Sequence, residues 1–401
     1  MDMDGLKKVL EFMEVIFVDD NLDMYEKKFD YGIEEEEIED FESEETPFDA
    51  EKIRIEQRML SLKYVKELID DGSLNLNPDF QRNVVWKEVK RKSLLIESLM
   101  LRIPIPAFYF YEDDDSFLNV IDGLQRLNTI NEYLNGKFKL KNLQYLDKLC
   151  GGKKFADLDK KYKTRIFMTQ FSVNIIDART PTQVKYDLFR RINTGGMPLN
   201  AQEIRNSIAK PHIRDFLKRL SNSEEFLLAT NSSVNDTRMA AQELILRYIA
   251  FDFAYDFDSG ELKYDRSDLE LFIDNVFERI NKFKEDELKE IEGKFLHSMN
   301  NAFILFGEYG FRKYNNLDAE NNYSKRKLVN KSLFSSLSVI LTYYTSVEIN
   351  EMKEKDALKE ITDLITRDEV FSDSLTVGTN SVANVQYNFK NIRKTMEDLL
   401  L

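Results

Sequence analysis

Cysteine is almost absent. Cys150 is the only one in 401 residues, so no intrachain disulfide can form and the fold needs no oxidising compartment. It precedes Gly151-Gly152 far from any histidine, which suits a small buried residue better than a nucleophile. No apolar run approaches the ~20 residues that would cross a bilayer, and the N-terminus lacks the basic, apolar and small-residue order of a signal peptide. A cytoplasmic protein is the simplest expectation. Histidine is scarce too: His212 and His297 lie 85 residues apart, too far for the close pair that a histidine-dependent nuclease motif carries. No Asp/Glu/Lys or His constellation with metal-ligand spacing stands out, so no protein metal ligands are assigned.

Acidic residues are in excess, but unevenly. The net charge of -15 arises entirely within residues 1–50, where 19 Asp and Glu face 4 Lys and Arg; residues 51–401 hold 53 of each sign. The body of the protein is therefore neutral and exerts no overall pull on nucleic acid. Residues 1–50 read as an acidic, partly disordered leader, solvated by its own charge. The other reading is a DNA-mimicking or regulatory tail that occupies a basic groove.

With 42% apolar residues, the remainder has ample material for packing, and its length suits two domains. Thr46-Pro47 marks the edge of the leader. Ser61 is placed to cap a helix carrying Leu62, Val65, Leu68 and Ile69, which Gly72 ends. Leu74 and Leu76 alternate with polar residues, and a second helix is predicted over about 87–101. Pro104 and Pro106 forbid its continuation. Strands are predicted at 107–111, 117–121 and 171–176. Thr180-Pro181-Thr182-Gln183 is a capping box with proline at the first helical position, opening a helix that Gly195-Gly196 ends; Asn200 to Glu203 starts another.

Beyond about residue 210 the spacing is helical: 240–253, 267–283 with a Ser267–Glu270 capping box, 286–306, 325–344, 351–366 and 381–401. The expected architecture is α+β: a mixed α/β domain over 51–210, then an all-α domain over 211–401.

The chemistry concentrates where the second strand runs into Asp122-Gly123-Leu124-Gln125-Arg126 and a helix. A strand that ends in glycine and opens a helix presents free amides at the positive end of the helix dipole. Gly123 lets an anion approach, Arg126 can donate charge-assisted bonds, and Gln125 offers a neutral donor and acceptor. Asp122 can cap the helix, hold a metal-bound water or orient Arg126. Alone, the pattern is weak evidence, since a type I turn with a capping aspartate is commoner than a phosphate site.

Several neighbouring runs sharpen it. Pro78-Asp79-Phe80-Gln81-Arg82 with Val85-Trp86, Lys92 to Leu99, Ile103-Pro104-Ile105-Pro106, Val120 to Leu127, and Phe189-Arg190-Arg191-Ile192-Asn193-Thr194-Gly195-Gly196 occur in this order. The chain thereby resembles the ParB/sulfiredoxin-fold family that forms the N-terminal half of GmrSD-type modification-dependent restriction enzymes and related phage-defence proteins. The resemblance covers about 55–210, and the helical remainder more loosely. It implies a ParB/sulfiredoxin-like nucleotide-handling domain whose signature falls on Asp122 to Arg126, with Asp122, Gln125 and Arg126 catalytic. It further implies that Gln81, Arg82, Gly123, Arg191, Asn193 and Thr194 bind nucleotide, and that the cofactor is an NTP with Mg²⁺.

There are departures from the family pattern. Leu124 stands where the family has a glutamine; its side chain is expected to turn into the core, and hydrolysis versus binding stays open. The turn holds no cysteine, which excludes the sulfinic-acid reduction of sulfiredoxin. With its two histidines so far apart, the chain is expected to lack the His-Asn-His nuclease half.

The leading reading is thus an NTP-hydrolysing sensor or regulator in a restriction or phage-defence system, acting on DNA or on a separate nuclease or effector, with no membrane association and with oligomer formation allowed for. The alternative is a non-catalytic, nucleotide-dependent clamp for DNA or protein. A nuclease built on the α/β domain itself ranks last. Trp86 reads as a core anchor and Lys87, Lys90, Arg91 and Lys92 as a solvated helix face. Arg312-Lys313 and Lys325-Arg326-Lys327 are weak candidates for a DNA groove.

Overall fold

The structure is a computed structural model that describes residues 32–38, 54–76, 86, 88–113, 115–192, 199–265 and 267–401. The described residues form two compact units, 54–208 and 32–38 with 209–401.

In the first unit, β1 (Ile55–Ser61) leads directly into α1 (Leu62–Asp70), and Ser61 caps the helix by accepting from the Tyr64 amide at 3.2 Å. After β2 (Leu74–Asn75) come α2 (Val89–Leu101), β3 (Phe108–Glu112), β4 (Leu118–Asp122) and α3 (Leu124–Leu134). Then follow α4 (Asp147–Cys150), α5 (Lys160–Phe167), β5 (Gln170–Ile176), α6 (Thr182–Ile192) and α7 (Ala201–Ile208). The strands form one mixed sheet in the order β1-β5-β3-β4-β2. β1 with β5 and β3 with β4 are antiparallel; β3 with β5 and β2 with β4 are parallel.

Its core joins Leu62 and Val65 of α1, Leu95, Leu99 and Met100 of α2, Phe108 and Phe110 of β3, Val120 of β4, and Leu127 and Ile130 of α3. The predicted strands and helices of this stretch are present to within a few residues. β1 went unread because its residues are almost all exposed and carry no buried alternation. Cys150 is buried, and burial raises its thiol pKa, as befits a packing residue.

Glu97 is a polar residue of this core that composition does not announce. It sits in the middle of α2, fully buried, and its carboxylate accepts from the backbone amides of Gln144, Tyr145 and Leu146 at 2.7–2.8 Å. One turn earlier Ser93 accepts from the Lys141 amide at 2.9 Å. Together they bind the 141–146 loop to the helix, supplying acceptors that a loop cannot find in its own backbone.

Among its described residues the second unit is helical, apart from a two-residue pair, Tyr255–Asp256 with Glu261–Leu262, and three isolated β-bridges. At its centre stand α10 (Ala240–Ala254) and α14 (Lys331–Leu341), both buried on nearly every side. Packed around them are α8 (Pro211–Ser221), α11 (Leu269–Ile280), α12 (Glu285–Phe306) and α18 (Val382–Asp398). Further helices are α9 (Glu224–Ala229), α13 (Asn316–Glu320), α15 (Ser346–Glu354), α16 (Ala357–Arg367) and α17 (Glu369–Ser374). Three expectations need correction here. The helix expected over 325–344 begins only at Lys331, where Asn330 caps it by accepting from the Leu333 amide. The cap of α11 is Asp268, which accepts from the Leu271 amide at 2.9 Å; Ser267 instead accepts from the Val382 amide. The helix expected over 351–366 is two helices, Ser346–Glu354 and Ala357–Arg367, because Asp356 adopts a left-handed φ of 58° and caps the second.

Residues 32–38 depart from a solvated leader. They run as an extended segment bridged to Val329 at Ile33 and to Val377 at Glu37. Gly32, at φ 69°, passes so close to the Ser233 carbonyl that a Cβ would overlap it. Glu36 is buried and takes both guanidinium ends of Arg247, at 2.9 and 2.5 Å, with Lys331 3.6 Å away. These partners remove the reason for that carboxylate to stay in water.

Candidate functional site

β4 delivers the turn. Val120 and Ile121 are buried, whereas the Asp122 side chain at the strand end is 37% exposed. Opposite it, a bulge between Tyr109 and Phe110 shifts the β3 register. Gly123 then adopts φ 99° and serves as the N-cap of α3, with no side-chain cap over the first turn. Glycine is required twice, for the positive φ and because a Cβ would overlap the Phe108 ring. The first-turn amides of an 11-residue helix therefore lie beside a half-exposed carboxylate.

The next three residues point in different directions. Leu124 is buried in the core, as expected for a residue replacing a polar one at that position. Gln125 is half-buried and accepts from the Trp86 amide at 3.2 Å, which ties the segment before α2 to the start of α3. Trp86 packs against the core, with the Arg91 guanidinium 4.5 Å above its ring.

Arg126 turns inward. Only 6% of it is exposed, and its guanidinium donates to the Pro106 carbonyl, to the Ala107 carbonyl at 3.1 Å and to Asp122 Oδ2 at 2.8 Å. It also lies 4.4 Å over the Phe108 ring. Burial lowers its pKa, and Asp122 opposes the shift. The expected phosphate-binding arginine is thus engaged in holding the turn to the 106–108 segment and fixing one oxygen of Asp122.

Of the other expected site residues, Gln81, Arg82, Asn193 and Thr194 lie outside the described residues. Arg191 is exposed at the C-terminal end of α6, and among the described residues no hydrogen bond or ion pair joins it to Asp122–Arg126. On the same helix Lys185 is buried, donates to the Ala178 carbonyl at 2.7 Å and lies 4.6 Å over the Tyr111 ring. Sequence reasoning passed over it because a lysine among apolar helix positions usually reaches solvent. Lys92 pairs with Glu132 at 2.7 Å, so the basic face of α2 is partly committed.

Much of the basic runs of the second unit is engaged within the protein, although Lys325 and Arg326 are exposed. Arg312 is buried and donates to the carbonyls of Thr230, Gly310 and Lys327, all within 2.9 Å. Lys313 and Lys327 donate to Thr376 and to the Lys313 carbonyl. His212 and His297 bond backbone carbonyls of Phe283 and Tyr344, a structural use.

Fold and site together define a mixed α/β domain with an uncapped strand–glycine–helix turn, in a chain that continues as a helical unit. Residues 65–210 match the family described as the GmrSD restriction endonuclease, N-terminal domain. The match supports the expected likeness of this stretch to the N-terminal half of GmrSD restriction endonucleases. No curated protein and no solved structure matches the chain significantly. No helix among the described residues is long and apolar enough to cross a membrane.

Proposed function

We propose that the 65–210 domain is a ParB/sulfiredoxin-like nucleotide-binding domain that takes the phosphates of an NTP at the start of α3 and hydrolyses it to switch a restriction or defence response. The observation that carries this is the Gly123 cap: a positive-φ glycine with no side chain over the first-turn amides, next to the half-exposed Asp122. Anions are stabilised at such an end by the amides and the dipole together.

Mg²⁺ fits this arrangement. It commonly takes one or two protein carboxylates and completes its shell with water and phosphate oxygens, so Asp122 alone would hold it. When bound, the ion supplies charge neutralisation for the phosphates. Within the chain, Arg126 fixes the Asp122 rotamer through Oδ2, the first-turn amides orient the phosphates, and Gln125 holds the Trp86 amide at the start of α3. Gln81, Arg82, Arg191, Asn193 and Thr194 would complete the pocket, and DNA or a separate effector would receive the signal.

A second reading is binding without turnover, as in a clamp. Leu124 favours it, because its burial leaves the turn without the polar side chain that the family carries there. Phosphate release measured with each NTP and Mg²⁺ separates the two. Asp122→Ala is expected to cut turnover by roughly 10²-fold or more. Tight binding with no release in the unmodified protein selects the clamp. Neither binding nor release for any NTP sinks both readings.

A further inference from the structure

The two edges of the sheet are unequal. β2 at one edge pairs over only two residues, too short to invite another strand. β1 at the other is seven residues long, pairs with β5 without a bulge, and contains neither proline nor lysine. Among the described residues no strand lies on its outer side. Edge strands of this length are ordinarily blunted by charge, kinks or covering elements.

The ladder says which backbone groups face outward. Arg54 and Asp177 lie opposite each other, as do Leu62 and Thr169, and the bonds Asp177 N–H to Arg54 O and Leu62 N–H to Thr169 O run to β5. In an antiparallel pair the hydrogen-bonded positions alternate, so even-numbered residues of β1 bond β5. The amides and carbonyls of Ile55, Gln57 and Met59 therefore point away from the sheet. Their side chains share one face, on which Ile55 is 42% and Met59 61% exposed. Glu56 and Arg58 share the other face, also exposed, and pair within the strand at 2.6 Å.

We propose that this edge is a homodimer interface, in which β1 pairs antiparallel with β1 of a second copy about a two-fold axis through Gln57. That register alone satisfies three conditions. Outward groups meet outward groups, because Ile55 faces Met59 of the second copy and Gln57 faces Gln57. Each Glu56 faces an Arg58 across a non-hydrogen-bonded pair, where Cα atoms approach to about 4.5 Å. The exposed Ile55 and Met59 cover each other on the opposite face. A register centred on Arg58 sets Arg58 against itself. One centred on Glu56 sets Glu56 against itself and Arg54 against Arg58; like charges directly opposite are unfavourable. The five residues Ile55-Glu56-Gln57-Arg58-Met59 are self-complementary only when read this way. The result is one sheet continuous through both copies.

Sedimentation of the full chain over a wide concentration series tests this. The unmodified protein is expected to show a monomer–dimer equilibrium. Gln57→Pro removes an outward amide that β5 does not use, and should leave a folded monomer with an unchanged circular dichroism spectrum. Glu56→Arg is expected to weaken the dimer at least about tenfold by opposing Arg58. The double variant E56R/R58E reverses both charges and should restore it to within about threefold. A monomer at every concentration, a dimer indifferent to Gln57→Pro, or failure of the double variant to rescue would each overturn the proposal.

Discussion

Arg126 shows how one residue type can serve either of two purposes at the same position. A guanidinium at the third position of a helix that opens after a glycine is well placed for phosphate. Here it is buried over Phe108, and its donors are spent on two carbonyls and Asp122. Its role is positioning, and that separates its variants from those of Asp122. Arg126→Ala is expected to destabilise the domain by about 2–4 kcal/mol, since two carbonyls and a carboxylate lose their partner. Asp122→Asn keeps a bond to Arg126 and leaves the side chain half in water, so its effect on the denaturation midpoint should be small. Nucleotide binding should suffer in both. A denaturation midpoint for Arg126→Ala equal to that of the unmodified protein would mean that its contacts exchange freely, and would return it to the phosphate.

At the scale of elements, the segment around α2 explains why its sequence is polar where a core is expected. Ser93 and Glu97 fall on the buried side of the helix and together accept four amides of the 141–146 loop. Glu97→Ala is expected to cost about 3 kcal/mol, because three amides, that of Leu146 buried and the other two partly so, lose their acceptor at once. Glu97→Gln keeps one acceptor oxygen but loses the charge, and should fall in between. Chemical denaturation of the three proteins orders them. If Glu97→Ala proves neutral, water replaces the carboxylate and the loop is not held by it. The pattern Lys92 to Leu99 that stood out in the sequence is thus explained by architecture, with no ligand required.

At the scale of the chain, residues 32–38 belong to the helical unit, although they precede the α/β domain in sequence. Glu36 is the anchor. Burial pushes its carboxyl pKa up, but Arg247 and Lys331 outweigh burial, and the group lies below its ordinary range. The unfolded chain therefore takes up this proton at a higher pH than the folded one. The stabilisation is complete above the ordinary carboxylate range and is lost as pH falls through the folded value. Glu36→Gln should lower stability at neutral pH by about 2–4 kcal/mol, since it leaves the buried Arg247 only the weaker pair with Glu243, 3.4 Å away. It should also flatten the loss of stability below pH ~4. An acid limb of the unfolding profile unchanged by the substitution would show that Glu36 is not the group responsible.

The sequence by itself determined the local features: the α/β-then-helical order, the helix cap at Ser61, the strand–glycine–helix turn, the inward course of Leu124 and the burial of Cys150. Each is set by spacing within a few residues, through cap chemistry, the φ that only glycine adopts readily, or apolar periodicity. Tertiary structure alone decided the direction of Arg126, the partners of Glu97, Glu36 and Lys185, and the exposure of β1. A charged side chain reaches water or partners distant in sequence with equal ease, and only packing settles which. Whether a strand lies at an edge is likewise decided by its neighbours, and β1 carries no proline or lysine that would mark it as one.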